Sequence, residues 1–520
     1  MSSDADRPRP RDPSGRRDTS APLDASGPRD PHPSAPQDQD PTSARDHDPA
    51  TAREFETASR QLQSHRAPSV IWGDERDAVT AALRWSSTHA VAPTDPKTGP
   101  RSAAELSAAT GPTITPEGIG ADRALALFDE VLIPATRASG DPMNLAHIPA
   151  APTRAAIAFD TAVSAANVFG GVWEYGAGAI HAENQVLAWL VSLLGWPESA
   201  GGVFVSGGTS GNLSALATAR ENASTRRGAR PEGGWSLASA RTAHSSNASS
   251  ARLLDMGVVT VPVDEDGRMT GPALAAVLDV HPEVCAVVAS GGTTNAGIVD
   301  DIAGIVAAAH DRGVWVHVDG AYGGAALLSP TARSLFAGIE QADSFVVDPH
   351  KWLFAPYDCC ALLYRDPRLA AAAHAQHAAY LDEVDRHESN PADLAAHLSR
   401  RTRGLPLWYS LATHGTDRYR QAVERCLATA REVASAIREM DHLELLREPD
   451  LSVLLFRRPG WDQTAYQRWS QRLARAGVIL CIPTRHEGET VLRLAFVNPE
   501  TDPAAVIDVL RSTMSTRDGS

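Results

Sequence analysis

The sequence predicts an α/β protein whose main body is a mostly parallel sheet, followed by a smaller α+β unit. Two observations carry this. From about residue 150 to 405, short continuous apolar runs such as "GGVFV", "CAVVAS", "VWVHV" and "SFVV" alternate with helical stretches. Runs apolar at every position belong to strands covered on both faces, as in a parallel sheet flanked by helices. Beyond residue 404 the texture changes to a long helical stretch. The strand-like pieces "LSVLLFRR", "GVILCIP" and "TVLRLAFV" and a closing helix through "PAAVIDVLRS" follow.

Taken in order, residues 1–66 mix Asp, Arg, Pro and Ser with almost no large apolar side chain. Such a segment buries too little surface to offset its ordering entropy and reads as a disordered tail. Residues 67–149 are helical in pattern. "ADRALALFDEVLIPATRA" sets Ala124, Leu125, Leu127, Phe128, Val131 and Leu132 on one stripe, suited to packing on a second domain or subunit. Residues 150–405 form the large α/β domain, in which "VDDIAGIVAAAHDRG" is a helix stopped at Gly313. Residues 406–520 form the small C-terminal domain.

Bulk properties exclude several classes. With 520 residues, 43% hydrophobic and 21% charged, the chain has the make-up of a soluble globular enzyme. A net charge of −15 argues against nucleic acid or an anionic membrane as the main partner. Five cysteines with no CxxC pair point to neither a disulfide framework nor a metal site, and a reducing cytoplasm is expected. No secretory signal and no membrane span is expected either.

In a parallel α/β sheet, ligands bind beyond the carboxyl ends of the strands, so the residues ending the apolar runs carry the functional reading. "SGGTSGN" (206–212) joins a strand to a helix. Its glycines admit a ligand close to the backbone, and Thr209 and Ser210 offer hydroxyls beside the positive end of a helix. It reads equally as a phosphate cradle or as a helix start capped by Ser or Thr. "HVDGAYGG" places Asp319 at a strand end, where a buried carboxylate needs a cationic or donor partner such as a protonated pyridine nitrogen. Ala321 leaves room beneath a flat ring. "TAHSSN" offers His244, an imidazole able to stack on a ring or meet a carboxylate. "GGTTNAG" offers Thr293 and Thr294, or is a plain turn. "SFVVDPHKWLF" delivers Lys351 from an apolar strand, with His350 before it and Trp352 after it. Desolvation is expected to lower the pKa of Lys351 and make it a nucleophilic amine. Together these are the fittings that pyridoxal phosphate requires.

The stretches "SGGTSGNLSALATAR", "TAHSS", "GTTNAG", "HVDGAYGG" and "DPHKWL" resemble, in order and spacing, the pyridoxal-phosphate-dependent group II amino acid decarboxylases. That group includes the aromatic amino acid, glutamate, histidine and diaminobutyrate enzymes. The resemblance runs from about residue 122 to 512. It implies a fold-type I architecture, with a large domain on a mostly parallel seven-stranded sheet and a small C-terminal domain. It further implies a homodimer with active sites at the subunit interface, acting on a small-molecule amino acid. By motif, Lys351 would carry pyridoxal 5'-phosphate as a Schiff base and Asp319 would pair with the pyridine nitrogen. His244 and Ala321 would lie against the two ring faces. Thr209, Ser210 and His350 would approach the phosphate, and Thr294 the ring substituents. The implied reaction is decarboxylation of an L-amino acid to its amine and CO₂.

Two departures from the family pattern matter. Asp348 stands where many members have Asn, and it is expected to point away from the phosphate. The family's loop after the lysine domain carries a tyrosine held to protonate the substrate carbon, and relatives without it form aldehydes oxidatively. Here the corresponding stretch, 380–404, has no tyrosine after Tyr380 and offers only His387 and His397 as proton donors. Tyr175 is a substitute candidate, with Trp173 and His181 near the expected entrance. An aldehyde synthase or aminotransferase on the same scaffold is therefore the alternative reaction. A non-enzymatic regulator would need a nucleic-acid-binding domain that the acidic, Pro-rich tail does not resemble.

Overall fold

A computed structural model describes residues 75–148, 151–376 and 388–515. The predicted tail, Tyr380 and His387 lie outside the described residues.

The chain enters through α1 (Arg76–His89), α2 (Ala103–Thr110) and α3 (Ala121–Leu127), the last continued by a π-helical turn (Phe128–Leu132). Helix α1 buries no residue, and of the predicted stripe Leu127 is buried while Phe128 and Leu132 remain exposed. Next come α4 (Arg154–Ala166) and the long α5 (Trp173–Leu194).

The main body follows as β1 (Gly201–Val205), α6 (Gly208–Arg227), β2 (Ser236–Ala240), α7 (Ser245–Leu253), β3 (Gly257–Val261), α8 (Gly271–Leu278), β4 (Val284–Ser290), α9 (Ile302–His310), β5 (Trp315–Asp319), β6 (Ser344–Val347), the single turn α10 (Pro349–Trp352), β7 (Cys360–Tyr364) and α11 (Pro367–His374). The seven strands form one sheet in the order β1-β7-β6-β5-β4-β2-β3. Only β7 runs against its neighbours, β1 and β6. Strands β2, β4, β5, β6 and β7 are buried along their whole length, which is why they read as unbroken apolar runs. Apolar cores lie on both sides of the sheet.

This register positions the site. Ser290 on β4 pairs with Asp319 on β5, and Asp319 pairs with Val346 on β6. The carboxyl ends of three strands therefore share one edge. Because β7 is antiparallel, its first residue, Cys360, pairs with Val205 at the end of β1. The loop entering β7 thus reaches the same edge.

Beyond the sheet, α12 (Leu405–His414) and α13 (Thr416–Arg438) replace the single long helix suggested by the sequence. Gly415 separates them at φ 77°, a conformation that favours glycine. The C-terminal part comprises β8 (Glu444–Leu445), β9 (Val453–Arg457), α14 (Gln463–Ala476), β10 (Pro483–His486), β11 (Glu489–Ala495) and α15 (Pro503–Thr513). Its four strands form an antiparallel sheet in the order β10-β11-β9-β8, with its own apolar core. No helix among the described residues is long and apolar enough to cross a membrane.

Candidate active site

A cavity of about 260 Å³ opens at the shared strand edge. Gly207, Gly208 and Thr209 line it from the first turn of α6, His244 and Ser246 from the start of α7, and Asp319 and Ala321 from the end of β5. Asp348, His350 and Lys351 line it from α10. Six of the sequence-predicted residues, Thr209, His244, Asp319, Ala321, His350 and Lys351, thus meet at one place. Ser210 stands just behind, its Oγ 2.9 Å from Ser206 Oγ, and Ser206 lines the cavity. Thr294 is not among the lining residues, and Thr293 is engaged in its own turn, accepting from the Ile298 N–H at 3.1 Å.

Of the two readings of the glycine-rich turn, the side-chain cap is not formed. The N-cap of α6 is Gly207, with no side-chain cap, so neither Thr209 nor Ser210 satisfies the first amides. An uncapped helix start with its positive end therefore stands in the cavity wall. A Cβ on Gly208 would stand 3.1 Å from both Ala321 Cβ and Asp348 Oδ2, filling the cradle. A Cβ on Gly211 would stand 2.7 Å from Val346 Cγ1, so that glycine lets α6 lie directly on the sheet.

Asp319 is buried and fully engaged. Its Oδ2 accepts from Asn212 Nδ2 at 2.9 Å and Asn247 Nδ2 at 3.2 Å, and its Oδ1 from the Ala321 N–H at 3.2 Å. Burial works against its ionisation. The paired His317, then the Lys351 ammonium and the donors from Asn212 and Ala321, together outweigh burial and hold the carboxyl below its usual range. His317, two residues earlier, is wholly buried and is pushed down to about 4, hence neutral.

Two expectations are corrected around Lys351. Asp348 does not point away: its Oδ2 lies 2.9 Å from Lys351 Nζ and 3.7 Å from His350 Nε2, in the cavity wall. Lys351 is accordingly not lowered. Burial pulls it down, but the Asp348 pair and the Asp319 charge more than reverse this, so the ammonium is held above the usual lysine range. His350 Nδ1 sits 2.6 Å from the Cys359 carbonyl, to which it donates, leaving Nε2 toward Asp348. Trp352 is fully buried and stacks on Tyr322 at 5.3 Å between ring centroids.

The sequence reading missed Asn212, Ser246 and Tyr357. Tyr357, from the loop entering β7, lines the cavity with its ring 4.9 Å from that of His350. Tyr175 is 69% exposed beside Phe169, and neither it nor His181 or Trp173 lines the cavity. His397 contacts the Pro391 carbonyl and is pushed down to about 4 by burial and Arg400, which leaves no imidazolium for acid catalysis at neutral pH. The rest of its stretch is anchored. Buried Arg400 pairs with both carboxylate oxygens of Glu183 on α5 at 2.7 Å, and Asn390 accepts from the Trp173 N–H at the start of α5.

The donor set fits pyridoxal phosphate: an uncapped helix start for the phosphate, an ionised buried acid for a ring N–H, and an amine for the aldehyde. The fold and this site define a fold-type I pyridoxal-phosphate enzyme. The comparisons agree. The pyridoxal-dependent decarboxylase conserved domain matches residues 121–458. The chain is 33% identical to L-2,4-diaminobutyrate decarboxylase of Rhizobium meliloti (strain 1021) over 410 residues, 76% of this chain and 81% of the relative. It is 29% identical to aromatic-L-amino-acid decarboxylase of Bacillus atrophaeus over 386 residues, 71% of this chain and 80% of that protein. The crystal structure of Oryza sativa TDC with PLP and tryptamine shares the fold at TM-score 0.79 and 23% identity, covering 86% of this chain and 100% of the other. The chain belongs to the pyridoxal-dependent decarboxylase family and is a carboxy-lyase that uses pyridoxal 5'-phosphate.

Proposed function

We propose that the protein decarboxylates an L-amino acid to its amine and CO₂, with Lys351 as the cofactor-bearing amine and a homodimer as the working form. The carrying observation is that Lys351, Asp319, His244 and the uncapped start of α6 line one cavity. When bound, pyridoxal phosphate supplies an aldehyde for the amino group and a ring that accepts the electron pair left as CO₂ departs.

The residues of the chain do the rest. The first amides of α6, with Thr209 and Ser210, would hold the phosphate end. Asp319, held ionised, would favour a protonated ring nitrogen. His244 and Ala321 would hold the ring. Lys351, 2.9 Å from Asp348, would be the attachment amine and a proton carrier. Tyr357 brings a phenol to the cavity, where it can protonate the substrate carbon. That supports amine formation.

A second reading is oxidative: amino acid, O₂ and water giving aldehyde, CO₂, ammonia and hydrogen peroxide. It is favoured by the absence of any tyrosine after Tyr380 in the stretch 380–404. One incubation assayed for CO₂, amine, ammonia and peroxide separates them. Amine equal to CO₂ with no peroxide is expected, and stoichiometric peroxide would sink the first reading. Lys351→Ala is expected to abolish the cofactor's visible band, and a borohydride-trapped adduct in that variant would show another attachment residue.

A further inference from the structure

Seven side chains in and behind the cavity wall, Trp315, Ser344, His317, Asn212, Asp319, Ser246 and His244, form one hydrogen-bonded network, and its central directions follow from a single fact. Asp319 is a carboxylate and can only accept. Asn212 must therefore turn its NH₂ group toward Asp319 Oδ2, and that same group lies 2.9 Å from Ser246 Oγ. Its carbonyl oxygen then faces His317 Nε2 at 2.9 Å, so this nitrogen carries a hydrogen. On its other side His317 Nδ1 lies 2.9 Å from Ser344 Oγ, which accepts from Trp315 Nε1 at 2.8 Å. In the other direction, Ser246 Oγ accepts from Asn212 and spends its own hydrogen on His244 Nδ1 at 2.7 Å. The Ser246 backbone N–H adds a longer contact to the same nitrogen at 3.3 Å. Bare at Nδ1, a neutral His244 carries its hydrogen on Nε2.

Asn212, Ser246, His317 and Ser344 are all at least nine-tenths buried. Flipping the Asn212 amide would set its oxygen against the Asp319 carboxylate in a dry site.

We propose that Asn212 is a positioning residue that couples the two ring-binding groups, holding Asp319 as a carboxylate and, through Ser246, fixing His244 as the Nε2–H tautomer. His244 then presents an Nε2–H donor to the cavity. The use of that donor rests on the cofactor-site reading, but the tautomers do not.

Nitrogen-15 NMR of histidine-labelled full chain, taken without and with pyridoxal phosphate, tests the two separately; signals are assigned with His244→Gln and His317→Gln. Expected in both states are a bare Nδ1 on His244 and a protonated Nε2 on His317. A protonated Nδ1 on neutral His244, or a bare Nε2 on His317, overturns the inference even if the cofactor binds. Failure of cofactor uptake with the expected tautomers leaves the network standing and sinks the functional reading. Asn212→Asp keeps the shape but turns the Ser246 hydroxyl toward itself. It is expected to populate the Nδ1–H form of His244 and to weaken cofactor binding about tenfold or more. An unchanged His244 signal overturns the coupling. If that variant does not fold, Ser246→Ala carries the test: the long backbone contact alone does not hold the tautomer, so an unchanged His244 signal again overturns it.

Discussion

Lys351 Nζ lies 2.9 Å from an Asp348 carboxylate whose other oxygen, Oδ1, has no hydrogen-bond partner. In this state the amine is held protonated above its usual range, and an ammonium cannot attack an aldehyde. Cofactor attachment is therefore expected to accelerate as pH rises and the amine is freed. In Asp348→Asn the pair is gone and burial is opposed chiefly by the Asp319 charge, so the pKa of Lys351 falls. The pH of half-maximal attachment should fall by about one or more, and attachment near neutral pH should speed up about tenfold. Stopped-flow absorbance of pyridoxal phosphate mixed with apoprotein across pH measures this; an unshifted profile would mean that Asp348 does not control the lysine. The two residues also show what a sequence discloses. Lys351 and Asp319 could be expected at the cavity because each follows or ends an apolar strand, whereas His244, in a polar stretch, was singled out only alongside the others. The pairing of Asp348 was not, because the argument then available, that an acid repels a phosphate, took no account of a buried lysine three residues away. Burial was read as acting alone on Lys351, whereas burial of a charge almost always comes with a partner.

At the scale of elements, the edge of a parallel sheet was the correct place to look, and the alternating apolar runs pointed to it. Tyr357 escaped because β7 is antiparallel: the loop before that strand, not the residues after it, reaches the active edge. Strand direction is a long-range property absent from local pattern. Asn212 escaped for a related reason, since its partners on α7 and β5 meet it only when α6 lies against the sheet, which Gly211 allows. The stretch after the lysine domain was read as a loop, yet residues 388–404 are tied to α5 by the buried Arg400–Glu183 pair. Burial pushes Glu183 upward, and Arg400 and the Gly404 N–H oppose it. Removing one partner strands a charge. Arg400→Met is therefore expected to cost about 3–5 kcal/mol in urea unfolding, and Arg400→Met with Glu183→Leu to recover most of it. Equal losses in the single and double variants would show that packing, not charge, anchors the segment.

For the whole molecule, the open side of the cavity and the helices at the N-terminal end make one argument. Thr209, His244 and Tyr357 line the cavity yet are exposed, so a lone protomer leaves water access to chemistry that benefits from its exclusion. Val79 and Leu83 on α1, one helical turn apart, are 52% and 50% exposed, and Phe128 and Leu132 after α3 are 38% and 40% exposed. The α1 helix is held to this neighbour through Trp85, whose Nε1 donates to Asp129 and whose ring meets Phe128 edge-on at 5.0 Å. These two helical segments thus leave apolar side chains exposed, a pattern that marks an interaction surface. A second copy of the chain is the expected occupant. Sedimentation should give twice the chain mass, and Val79→Glu with Leu83→Glu should shift the population toward monomer by burying two charges in the interface. Because those positions lie outside the cavity-lining set, the monomer should still take up pyridoxal phosphate while turning over amino acid at a much lower rate. A wild-type chain that sediments as an active monomer would overturn the dimer and require the protomer alone to exclude water from its site.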